Sequence, residues 1–185
     1  MSFDAICLIA EWDAAVAACR ASAGTDFYWN APENPTGDDL PFVIERNYRG
    51  YDFMQAGFYY QILRRQLPNH LRDKADAFLG SLYHDLGPGC PEPPEDLADD
   101  VGIELSDYET YYSMRPATTR AVLERARSLP WLEIEQAAVS AVIPPRITRH
   151  DVRDIEHFRG AVSLQQDWLD EAAQTGRGVI VLLSQ

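Results

Sequence analysis

Lysine is almost missing from this chain of 185 residues: Lys74 stands alone among 16 basic residues, which face 29 acids for a net charge of −13. That shortage of cations excludes a general nucleic-acid binder, whose phosphate contacts need Lys and Arg. It equally disfavours docking on an anionic membrane. The arginines are scattered among more numerous acids and read as a compositional preference, not as a phosphate-binding patch. Cysteine is scarce too. Cys7, Cys19 and Cys90 are too few and too dispersed for a disulfide framework, and no Cys-x-x-Cys or Cys/His zinc spacing occurs. A reducing, cytoplasmic setting is expected. The longest apolar runs, such as residues 179–183, fall far short of the roughly 20 residues a membrane span requires. The first ten residues carry no basic stretch, so no secretory leader is expected. Neither Gly-x-Gly-x-x-Gly nor a P-loop nor a Gly-x-Ser-x-Gly elbow is found, which leaves nucleotide binding and hydrolase-type nucleophilic catalysis without a motif.

What is present is the composition of a packed globule, 46% hydrophobic and 24% charged. The length suits one domain over residues 1–185, large enough to fold without a metal or disulfide. Phe3 to Ile9 is a short apolar run and predicts a strand. Glu11 to Ala23 predicts a helix with Trp12, Val16 and Cys19 on one face. A long polar loop over 25–39 carries the aromatic patch Phe27-Tyr28-Trp29, and residues 42–46 predict a second short strand. Asp52 and Gln55 have the spacing of a capping box, opening a helix that Pro68 stops. Its apolar residues fall on two faces, with Met54, Phe58 and Ile62 on one and Phe53, Tyr60 and Leu63 on the other, so it should be central. Asn69 is expected to cap the next helix, whose stripe is Leu71, Ala75, Phe78 and Leu82, and the pair to form a helical hairpin. Residues 108–114 read as extended. Ser113 and Pro116 are expected to start a helix to about Ser128, and Pro130 another to about Val139. Thr148 to Asp151 has a second capping-box pattern, predicting one long helix from there to Thr175. Val179 to Leu183 lacks polar alternation and predicts a strand covered on both faces. The architecture expected is α+β, a mixed sheet with both terminal strands inside and several packed helices.

Candidate chemistry is sparse. His150, Asp154 and His157 recur at i, i+4 and i+7, the spacing of a His/carboxylate metal site. No further ligand or supporting partner is visible in the sequence, and we expect no metal and no cofactor there. Cys90 sits in a Gly/Pro-rich stretch, and nothing in the sequence places any histidine beside it. Arg46, Tyr48 and Arg49 stand just before a helix start, where anions are attracted, and with Trp29 and Tyr111 they are candidates to line an aromatic/arginine pocket for a small molecule. The sharpest shift in composition lies between Asp85 and Glu109, with nine acids and no Lys or Arg. Asp96, Asp99, Asp100 and Glu104 within it do not follow the spacing of a calcium loop. A solvated acidic face, or a docking surface for a basic protein, fits them better.

Residues 108–185 resemble the YfbM-like family of bacterial proteins. An extended piece leads to Ser113, Pro116 and Val122, and a second helix ends in Pro144 and Pro145. Glu156-His157-Phe158 then opens a helix reaching Ala172-Ala173, followed by Gly176 and an apolar terminal strand. The strand-helix opening of the chain is similar, whereas residues 25–109 depart from the pattern. The resemblance implies a compact α+β cytoplasmic protein and carries over no catalytic residue. From the small size, the strong acidity, the concentrated acidic segment and the lack of a catalytic motif, the function expected is a non-enzymatic binding or regulatory protein, immunity-like, that engages a basic partner. The alternative is an enzyme or small-molecule binder using the aromatic/arginine pocket.

Overall fold

The computed structural model of the chain describes residues 4–22, 28, 40–47, 53–84, 89–101, 110–138, 152 and 154–184. The apolar runs from the two ends of the sequence pair with each other: β1 (Asp4–Ala10) lies antiparallel to β4 (Gly178–Ser184), with Cys7 opposite Val181. β2 (Val43–Asn47) adds to the far side of β1, and β3 (Thr110–Met114) to the far side of β4, giving the order β2-β1-β4-β3. Both terminal strands are interior, as the sequence predicts. The sheet is not mixed, however. Every pairing is antiparallel, because β1 and β3, which run the same way, are separated by β4.

The alternation of side chains across a strand, with both faces covered, explains why β1 is apolar from Ala5 on and β4 from Val179 to Leu183. Ala5, Cys7, Ile9, Val179 and Val181 enter the main core on one face; Ile6, Leu8, Ala10, Ile180 and Leu182 enter a smaller core on the other. The smaller core is covered by α1 (Trp12–Ser22) through Ala15 and Cys19, with Trp12, Val16, Tyr28 and Phe42 packed at its margin. The main face carries α2 (Phe53–Gln66), α3 (Asn69–Leu82), α5 (Pro116–Arg127), α6 (Trp131–Ala138) and α7 (Ile155–Thr175), while the short α4 (Ala98–Val101) lies in the acidic segment. Of the two apolar faces of α2, that with Phe53, Tyr60 and Leu63 is fully buried, whereas Met54, Phe58 and Ile62 are half-buried. The α3 stripe of Leu71, Ala75, Phe78 and Leu82 is buried as expected. α2 and α3 are tied by Asp76, whose Oδ1 accepts from the Tyr60 hydroxyl and from Arg64 Nε, each at 2.6 Å. A shift of pairing in β3 at Tyr111 marks a bulge, which lets the consecutive Tyr111 and Tyr112 both pack against the main core.

Three helix starts differ from the sequence expectation. Asn69 does not cap α3: Pro68 holds that position in extended conformation with no side-chain cap, and Asn69 Oδ1 instead accepts from Arg72. Ser113 does not open α5. It is buried within β3, and Pro116 occupies the first turn, where its missing N–H costs nothing. The last helix starts at Ile155, not near Thr148, because Asp154 is the cap and takes the His157 backbone N–H at 2.9 Å. Asp52 and residues 139–151, which include the second capping-box pattern and the proline pair, lie outside the described residues. The close of α7 follows the sequence. Gly176 adopts φ 68°, and Arg177 N–H reaches Ala172 O at 2.8 Å, a Schellman end that favours glycine.

Candidate functional site

The acidic segment is pinned along part of its length. Residues 89–101 lie against α3 and α5, with Pro91 and Leu97 buried. Gly80 on α3 makes this approach possible, since a Cβ there would stand 2.9 Å from the Glu92 carbonyl oxygen. Two arginines at the ends of α5 hold the segment electrostatically: Arg125, in its last turn, pairs with Asp96 while reaching the Ala77 carbonyl, and Arg115, at its N-cap, meets Asp100 at 3.0 Å. Asp96 nevertheless keeps 68% of its side chain exposed, and Glu92 and Glu95 are exposed beside it. Asp99 lies in α4, its side chain outside what is described, and Glu104 lies outside the described residues. The pairing reaches beyond the segment. Arg64, Arg115, Arg125, Arg127, Arg159 and Arg177 each lie within 4.0 Å of a carboxylate, so these cations are partly neutralised where they stand.

The residues expected to form an aromatic/arginine pocket do not meet in the described part of the chain. Tyr48, Arg49 and Trp29 lie outside it. Arg46 is on the edge strand β2, its backbone opposite Cys7. Tyr111 is turned towards the core, its ring 4.7 Å from that of Phe53 and 5.3 Å from that of His84, and its hydroxyl donates to the His84 carbonyl. Tyr28 packs at the edge of the smaller core.

The histidine/aspartate stripe is not a helical face. Asp154 is the N-cap of α7, its carboxylate also 2.7 Å from His157 Nδ1, and His150 lies outside the described residues. Among the described residues no three His, Cys, Asp or Glu side chains converge on one point. Cys7 and Cys19 are buried and lie in no disulfide. Cys90 is half-buried, and its Sγ takes the Gln61 side-chain amide at 2.7 Å.

Two polar arrangements were hidden in apolar patterns. Gln165 is fully buried, its Oε1 accepting from Tyr112 OH at 3.1 Å and its Nε2 donating to Tyr83 OH at 2.8 Å. It continues the Phe158-Val162-Leu169 face, so helical periodicity was the signal that marked it as an inward residue. The Tyr60 hydroxyl is held protonated well above its ordinary range, by burial first and then by the neighbouring Asp76 carboxylate. These groups serve as hydrogen-bond donors that join α2, α3, β3 and α7.

A cleft of about 840 Å³ opens at the end of the sheet where β1 runs into α1 and β3 into α5. Its walls are residues 11–14, Ile44, Pro116 and residues 175–177. Arg177 Nη2 meets Glu11 Oε1 across it at 3.0 Å. The sequence marked the boundary between β1 and α1 and set the one between β3 and α5 too early, and the meeting of the two depends on the strand order. No helix among the described residues is long and apolar enough to cross a membrane. The chain matches no protein-family model, no curated protein and no solved structure.

Proposed function

We propose that this is a non-enzymatic binding or regulatory protein, immunity-like, that engages a basic protein partner through the carboxylates of its docked acidic segment. One observation carries the reading: residues 89–101 are anchored by Pro91, Leu97 and two ion pairs while Glu92, Glu95 and most of Asp96 stay exposed. An anchored surface has less ordering entropy to lose on binding than a free acidic tail. In a chain of net charge −13, its field steers cations and speeds their encounter.

The test is co-purification from the source organism at low and high salt, with three forms of the protein. Wild type should retain a basic protein at low salt and release it at high salt. Glu92→Gln/Glu95→Gln should lose it. Glu133→Gln/Asp167→Asn, which removes the same charge from exposed sites elsewhere, should keep it. A folded wild-type protein that retains nothing, or equal loss in both variants, would overturn the assignment.

A further inference from the structure

We infer that the cleft at the end of the sheet is a second binding site, and that it takes a small organic ammonium ion seated on the Trp12 ring beside the carboxylates of Asp13 and Glu11. The aromatic wall is built in. A Cβ on Gly178 would collide with Trp12 Cε3 and stand 2.7 Å from the Met114 carbonyl oxygen, so a glycine at the start of β4 is what allows the indole to lie against the strand. The ring is thereby held against the main chain and stays only half-buried at the cleft wall. Indole is the best of the aromatic faces for a cation.

Charge selects the sign of the ligand. Two carboxylates, Glu11 and Asp13, line the cleft against one guanidinium, Arg177, and that guanidinium is already engaged with Glu11 at 3.0 Å. Glu11 remains 58% exposed, leaving carboxylate surface available to a second donor. The first turns of α1 and α5 bring partial positive charge to the cleft and the end of α7 partial negative charge, but the two full carboxylate charges outweigh the balance, so an ammonium ion is attracted by both carboxylates and by the ring. Ile44 and Pro116 add apolar wall, so the cation that fits carries hydrocarbon on or beside its nitrogen. The volume, about 840 Å³, lies in the range of small-molecule pockets. Neither Glu92 nor Glu95 lines the cleft, and the site does not depend on the acidic-segment reading.

The probe is choline, followed by the indole N–H resonance of Trp12 in the full-length protein. Its neutral carbon isostere, 3,3-dimethylbutan-1-ol, keeps the shape and removes the charge. Choline should shift the resonance saturably with a dissociation constant of about 1 mM or below, and the isostere should bind at least about tenfold more weakly. Asp13→Asn, in the first turn of α1, should weaken choline about three- to tenfold and lower the melting temperature by no more than a few degrees. No saturable shift with choline, equal binding of the isostere, a stronger response to inorganic phosphate, or full choline affinity in Asp13→Asn would each overturn the inference.

Discussion

Asp154 does at the start of α7 what the sequence suggested Thr148 would do. Its carboxylate takes the His157 backbone N–H at 2.9 Å and lies 2.7 Å from the His157 ring nitrogen. Partial burial pushes this carboxyl up, but the hydrogen bonds from the His157 backbone and side chain more than offset that, and it sits below its ordinary value. The same negative charge, after burial itself, helps push the Tyr59 hydroxyl up to about 12. A carboxyl lowered by folding contributes stability that is complete above its unfolded pKa, about 4, and is lost as pH falls through the lower folded value. Asp154→Ala should therefore cost about 0.5–1 kcal/mol at neutral pH, the lower part of the range for a cap, because the side chain is half exposed. The gap in melting temperature between variant and wild type should narrow on acidification, as the charge-dependent part of the cap is lost. A gap of the same size at neutral pH and below the carboxylate range would show that the charge of Asp154 contributes nothing.

Elements with a strong period were legible in the sequence, and those fixed by one residue's local geometry were not. β1, β4 and the stripes of α3 and α7 follow from apolar spacing, because burial of one face or of both faces leaves its period in the sequence. The helix starts at Asn69, Ser113 and Thr148 were misplaced by one residue to one or two turns. A cap is chosen by backbone conformation, and Ser, Thr, Asn and Asp suit turns as readily. The docking of residues 89–101 on α3 was equally unreadable, since its condition is an absent side chain. Gly80 sits in the last turn of α3, where glycine costs about 1 kcal/mol relative to alanine by propensity. Gly80→Ala should forfeit that gain, because its Cβ would stand 2.9 Å from the Glu92 carbonyl oxygen, a backbone atom that cannot rotate away. The variant should be no more stable than wild type, and residues 89–101 should exchange their amide hydrogens faster. A stabilised variant with unchanged exchange in that segment would contradict the close approach.

Across the whole molecule, negative charge gives the surface its character. The acids exceed the bases by 13, and six described arginines are already drawn to carboxylates at distinct places on the fold. Composition alone made the acidic segment visible. That Asp96 and Asp100 hold it to the arginines at the two ends of α5, while Glu92 and Glu95 face solvent, required the fold. Long-range attraction between exposed charges is screened over about 10 Å at 0.1 M salt, so it acts chiefly on the rate of encounter. The direct measurement is the association rate of the co-purified basic partner with wild type and with Glu92→Gln/Glu95→Gln across a range of ionic strength. Wild type should associate fastest at low salt and slow steeply as salt rises. The variant should start slower, with a shallower dependence. Identical rates and identical salt slopes for the two proteins would contradict a partner surface on the acidic segment.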